Sequence, residues 1–225
     1  MAARHCIPER IEPLTDYYPV SLDLQGRSCL VVGGGQVAAR KASGLLECGA
    51  TVTVIAPEVC DAMAELAELA PLSIERRPYA TGDAAAFRLV VTATGISAVD
   101  GAVYADGEAA GVWVNSADDV THCSVILPSV HRDGAVTVAV SSGGRSPALA
   151  SWLRRRMAAQ GGEGLGELAE LLGQARQRMH DAGRGTEKTD WAALLDGPLP
   201  GLVRDGQLEQ ARTLIEAATG THLSP

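Results

Sequence analysis

Three short stretches hold residues whose types and spacing could do chemistry. The first is Gly33-Gly34-Gly35-Gln36-Val37, which follows the apolar run Cys29-Leu30-Val31-Val32 and opens an alanine-rich amphipathic segment. Glycines at such a turn admit positive φ and close approach of a ligand, and the N–H groups of a following helix attract anions. A dinucleotide pyrophosphate suits that spot. The second is Asn115-Ser116-Ala117-Asp118-Asp119, whose adjacent carboxylates serve either as base or metal ligand, or as ordinary turn and helix caps. His122 and Cys123 follow, at a spacing that fits no strong metal template. The third is Ser141-Ser142-Gly143-Gly144-Arg145-Ser146-Pro147, a small-residue loop running into a helix. Arg145 and Arg154-Arg155-Arg156 add positive charge there, either a solvated face or a seat for a substrate with many carboxylates.

The glycine turn gains weight from the elements around it. Residues 28–32 read as a strand covered on both faces, 36–48 as a helix ended by Gly49, and the β-branched run 51–56 as a second strand at the distance of one βαβ unit. The third glycine of the dinucleotide fingerprint is replaced by Ala38, an accepted variant. The acid that usually ends the second strand is absent: Ala56-Pro57 stand there and the nearest carboxylate is Glu58. No arginine follows immediately to accept a 2′-phosphate, which favours NAD over NADP.

Further elements continue the alternation. A helix is expected over 58–69, strands over 72–76, 89–93 and 112–114, and a helix over 99–110, which together predict a doubly wound parallel sheet. Beyond Asn115 the runs 125–128 and 136–141 flank a turn at Arg132-Asp133-Gly134 and read as an antiparallel pair. From Pro147 the signals are helical, with further helices around 167–180 and 207–218 and connectors at 161–166 and 197–201. The fold class expected is therefore α/β. A Rossmann-type domain over 1–114 precedes a small β-containing region over 115–146 and a helical domain over 147–225.

Composition narrows the function classes. A chain of 225 residues buries a substantial core, and a net charge of −8 argues against a generally basic nucleic-acid surface. Five scattered cysteines with no C-x-x-C pair suggest neither a disulfide framework nor a structural zinc, and point to a reducing cytoplasm. Residues 1–16 read as a polar leader without the apolar core of a secretory signal, and no segment is long enough to span a bilayer.

Taken together and in order, the glycine turn through Lys41, the Asn115 to Asp119 stretch and the Ser141 to Pro147 loop resemble the precorrin-2 dehydrogenase/sirohydrochlorin ferrochelatase family of siroheme synthesis. Tyr18-Pro19-Val20 and Leu127-Pro128-Ser129 are similar to it too. The resemblance implies a Rossmann domain, a dimerisation region and a helical domain in a homodimer, NAD-dependent oxidation of precorrin-2 to sirohydrochlorin, and in bifunctional members insertion of Fe²⁺. It places the family's essential aspartate on Asp118. It puts cofactor contacts on Gly33, Gly34, Gly35, Gln36, Val37, Pro57, Glu58 and Thr94, and tetrapyrrole contacts on Asn115, Ser124, Ser142, Gly143, Gly144 and Arg145. Ser142 matches a serine phosphorylated in some relatives, while Thr94-Gly95-Ile96 departs from the Thr-Asn/Asp-Asp of many. No methyltransferase activity is expected. The alternatives are a dehydrogenase that leaves chelation to a separate enzyme and a non-enzymatic NAD-sensing module.

Overall fold

The computed structural model describes residues 17–161 and 163–223, so the reading of 1–16 as a leader lies outside the described residues. The chain divides into two compact units that part between Leu127 and Pro128.

The first unit is an α/β layer built on five parallel strands: β1 (Ser28–Val32), β2 (Thr51–Ile55), β3 (Leu72–Glu75), β4 (Leu89–Thr92) and β5 (Trp113–Ser116), in the order β3-β2-β1-β4-β5. The near-continuous apolar runs of β1 and β4 are buried along almost their whole length, as strands covered on both faces must be. Helices α1 (Gln36–Leu46) and α2 (Asp61–Leu69) and the longer α3 (Ser97–Ala110) connect them. Two apolar clusters form, one on each face. Ala38, Ala39, Ala42 and Leu45 of α1 pack with Cys29, Val31, Val52, Val54 and Val91 on one, while Leu30, Val90 and Val114 meet Val103 on the other. Each such Val or Leu contributes on the order of 2 kcal/mol by leaving water, and the small alanines of α1 let the helix sit close to the sheet.

The second unit begins with an antiparallel pair, β6 (Ser129–Asp133) and β7 (Val136–Val140), closed by the two-residue turn Gly134-Ala135. This corrects the expectation that 125–128 would form the first strand. Val125 and Leu127 pack onto the α1-side core of the first unit, and Pro128 has no N–H to donate to a ladder. Ser129–Asp133 carries little apolar signal of its own, so only its pairing with β7 makes it a strand. Helix α4 (Pro147–Gly161) packs on the pair, and α5 (Leu165–Asp181), α6 (Trp191–Asp196), α7 (Leu199–Arg204) and α8 (Leu208–Thr219) bury Leu168, Leu171, Leu199, Val203 and Ile215 in a separate core. Residues 197–201, expected as a connector, run into α7 because prolines are compatible with a first helical turn, where no N–H is needed.

Candidate functional site

The strand order reverses between β1 and β4, and the loops at their carboxyl ends face each other there. The three glycines of the β1–α1 turn have separate reasons for being glycine. Gly33 has φ +121 and a Cβ there would lie 2.4 Å from the Ala93 carbonyl oxygen of the β4 loop. Gly34 is pressed against the turn after β2: a Cβ would lie 1.9 Å from the Glu58 carbonyl oxygen, and the Gly34 carbonyl accepts from the Cys60 N–H at 2.8 Å. Gly35 needs neither. Its φ is −81, a Cβ would meet nothing within 4 Å, and as the N-cap of α1 it offers no side chain to the helix's first N–H groups. The open space and uncapped amides at Gly35, Gln36 and Val37 fit a pyrophosphate.

Pro57 and Glu58 are exposed just past β2, on the ribose side of such a cradle. Thr94 is tied into its own loop. Its hydroxyl donates to the Asp100 carboxylate at 2.7 Å and accepts from the Ile96 N–H at 3.0 Å, while Thr92 reaches the same carboxylate oxygen in a short hydrogen bond. Asp100 is buried at the start of α3 and fixes the β4 loop opposite Gly33.

Beyond β5 the chain makes a compact polar turn. Asn115 donates through Nδ2 to the Val125 carbonyl at 2.9 Å, and its Oδ1, like the Ser116 hydroxyl, is buried with no hydrogen-bond partner among the described residues. The Ser124 hydroxyl accepts from the Val114 N–H at 2.8 Å and closes the turn onto β5. Asp119 caps a short 3-10 turn: its carboxylate accepts from the Thr121 hydroxyl at 2.6 Å and N–H at 2.9 Å, which hold it below the usual carboxylate range. His122 Nδ1 lies 3.1 Å from the same carboxylate without the alignment of a hydrogen bond, and its ring packs against Tyr104 and Gly101 of α3. Of the two carboxylates Asp119 is therefore engaged by its own turn, and Asp118 is exposed.

One neighbour of Asp118 was missed by reading the sequence. Lys41 of α1 is half-buried, on the face that carries Ala38, Ala42 and Leu45, and burial pulls its ammonium below its ordinary range against the opposing influence of Cys123 and Asp118. A lysine at helical spacing from buried alanines was the available signal. Cys123 accepts from the Ser116 N–H at 3.1 Å, and burial pushes its thiol up, so it remains neutral at physiological pH. Tyr17, raised chiefly by burial and then by Cys123 and Tyr104, lies beside the same turn.

In the second unit the Ser141 to Ser146 loop is closed on itself. Ser142 Oγ accepts from the Ser146 N–H at 2.8 Å, Ser141 Oγ from the Gly143 N–H at 3.1 Å and Ser146 Oγ from the Leu149 N–H at 3.2 Å, with Gly143 and Gly144 at positive φ. Arg145 is exposed.

A five-stranded parallel sheet with a glycine turn at its switch point defines a Rossmann-type dinucleotide-binding protein. Residues 20–129 match a family described as putative NAD(P)-binding, and residues 133–160 match sirohaem biosynthesis protein central. The chain is 38% identical over 206 residues to a siroheme synthase of Methylococcus capsulatus, covering 90% of this chain and 44% of that protein. It is 40% identical over 182 residues to siroheme synthase 2 of Yersinia enterocolitica, covering 80% and 39%. It thus spans less than half the length of these curated relatives. The structure of SirC, a precorrin-2 dehydrogenase, superposes with a TM-score of 0.69 at 27% identity, over 90% of this chain and 98% of that one. The chain is similar to siroheme synthases over most of its length, with a region that matches the NAD(P)-binding family followed by one that matches the sirohaem biosynthesis central family. No helix among the described residues is long and apolar enough to cross a membrane.

Proposed function

We propose that the chain is an NAD-dependent precorrin-2 dehydrogenase that forms sirohydrochlorin in siroheme biosynthesis. The observation that carries this reading is the exposed, uncapped Asp118 at the carboxyl end of β5, on the same edge of the sheet as the open Gly35 turn. The bound nicotinamide would supply a hydride acceptor, taking two electrons and one hydrogen from the substrate. The chain's own work is to cradle the pyrophosphate on the first amides of α1, to face the ribose with Glu58, and to receive on Asp118 the proton released as conjugation extends. NAD is favoured over NADP because Ala56-Pro57-Glu58, with no arginine, follow β2, and of the two arginines past β3 Arg77 is already held by Asp83 at 2.6 and 3.0 Å and by Glu75 at 2.9 Å.

The tetrapyrrole would also meet Ser142, Gly143, Gly144 and Arg145. Fe²⁺ is a second substrate of this reading, held by the four nitrogens of the macrocycle rather than by a protein cluster. Two copies are proposed to pair through the second unit. None of the residues of β6 or β7 is fully buried within one chain, and a lone two-stranded sheet needs a cover beyond α4, whose Leu149, Trp152 and Met157 are each about half exposed. Action in the cytoplasm agrees with Cys29, Cys60 and Cys123 being free thiols.

The test is to supply precorrin-2 and NAD anaerobically, follow sirohydrochlorin by absorbance, and then add Fe²⁺ and look for siroheme. Asp118→Asn should lower kcat by about 10²-fold or more, the scale of a lost general base, with NAD affinity retained. Absence of oxidation by the unaltered protein refutes the reading. Oxidation without chelation leaves a dehydrogenase that passes its product to another enzyme.

A further inference from the structure

We propose that Lys41 is a substrate-recognition residue of this site, its ammonium taking one carboxylate of the polycarboxylate tetrapyrrole and so fixing which edge of the macrocycle faces Asp118. The inference rests on the precorrin-2 reading above. Lys41 lies on the packed flank of α1, between Ala38 and Ala42, which are both fully buried. Side chains on a helix lean toward its N-terminus, so the lysine stem runs back toward the carboxyl edge of the sheet, where residues 116–123 form their turn.

Val125 and Leu127, which continue that turn, pack on the same core cluster as α1. The turn and the helix flank therefore line one side of the sheet. Asp118 and Cys123 are the groups there that Lys41 feels, and it is hydrogen-bonded to neither: Cys123 stays a neutral thiol, Asp118 is an exposed carboxylate, and Lys41 has no hydrogen-bond partner among the described residues. Arg40, the next residue along, adds like charge. A cation partly withdrawn from water with none of its N–H donors paired by the protein is costly, and the cost is recovered when a ligand carboxylate supplies the charge-assisted hydrogen bond.

The phosphates of NAD are the competing anion. They are served by the uncapped amides at the start of α1, whereas Lys41 is six residues beyond Gly35, about 9 Å along the axis. A phosphate contact and a tetrapyrrole contact of Lys41 are told apart by whether NAD affinity changes with the side chain.

The experiment compares the unaltered protein with Lys41→Met, which keeps the stem and removes the charge, and Lys41→Arg, which keeps the charge. Binding of sirohydrochlorin is titrated by absorbance, binding of NAD by calorimetry, and precorrin-2 oxidation is resolved into kcat and KM. Lys41→Met is expected to weaken sirohydrochlorin binding and raise the precorrin-2 KM by about tenfold or more, the worth of one charge-assisted hydrogen bond, to flatten the salt dependence of binding, and to leave NAD affinity unchanged. Lys41→Arg is expected to restore most of the loss. A neutral variant that binds sirohydrochlorin as tightly as the unaltered protein overturns the assignment while leaving the dehydrogenase reading intact. A variant that instead loses NAD overturns it in favour of a phosphate contact. Equal loss in the methionine and arginine variants shows a packing role and overturns it too. An unaltered protein that neither binds sirohydrochlorin nor oxidises precorrin-2 overturns both readings together.

Discussion

The two glycine-rich loops of this chain look alike in sequence and behave oppositely in structure. Gly33-Gly34-Gly35 and Ser142-Gly143-Gly144 each lead from a strand toward a helix, and each suggests an anion site. In the first, the loop's backbone is locked by neighbouring turns at Ala93 and Glu58, while the N-cap of α1 contributes no side chain, so the helix amides stay available. In the second, three serine hydroxyls accept from the Gly143, Ser146 and Leu149 N–H groups, so three of the amides an anion would use are already paired. Glycine content alone does not make a cradle. What decides is whether polar side chains beside the glycines take up the same donors.

The largest expected effect separates packing from binding within the first loop. Gly34→Val would push a side chain into the Glu58 carbonyl and break the hydrogen bond from Cys60 to Gly34, a backbone clash that no rotamer relieves. A loss of about 3 kcal/mol or more, or failure to accumulate folded protein, is expected in urea denaturation. A soluble Gly34→Val protein of unchanged midpoint would show that the turn after β2 yields, and that the first loop is less rigid than its contacts indicate.

Gly35→Ala should do the reverse. Its φ suits any residue and the added Cβ meets nothing, so stability should move by about 1 kcal/mol or less, the worth of a changed N-cap. NAD affinity, measured by calorimetry, should fall about tenfold, a difference of about 1.4 kcal/mol, because the methyl occupies the space a phosphate approaches. Unchanged affinity would mean that Gly35 faces solvent with its cofactor bound, and the contrast between the loops would lose its functional half.

The same contrast explains what could be read in advance. The five parallel strands and the helices between them were legible because buried strands write continuous Val, Ile and Leu runs, as in Thr51–Ile55 and Leu89–Thr92. The first strand of the hairpin was misplaced because Val125-Ile126-Leu127 has apolar character without a ladder, whereas Ser129–Asp133 has a ladder without apolar character. Helix α6 at Trp191–Asp196 escaped notice because six residues are too few for a period to show. At the site, Gly33 to Gly35 and Asp118 could be singled out by residue type, but type could not tell Asp118 from Asp119. Their difference lies in Thr121, whose N–H and hydroxyl engage Asp119. Lys41 was hidden inside a motif read only for its glycines, although its helical spacing from Ala38 and Ala42 marks it as facing inward.

The smallest expected effect belongs to the second loop and tests the other half of the contrast. Ser142 is half-buried, and its hydroxyl accepts from the Ser146 N–H at 2.8 Å, just before the start of α4. Ser142→Ala removes that acceptor and leaves a donor to find water, a change worth about 1 kcal/mol at a helix start. In thermal unfolding of the whole chain, the transition that involves the second unit should fall by a few degrees while NAD binding to the first stays unchanged. The precorrin-2 KM supplies the discriminating measurement. A lowered midpoint with little change in KM assigns the hydroxyl to capping α4, as its geometry indicates. A preserved midpoint with a raised KM would show instead that Ser142 turns to the tetrapyrrole when substrate is bound. The second loop would then trade its internal hydrogen bonds for a ligand's, and the two loops would differ in when they open rather than in what they bind.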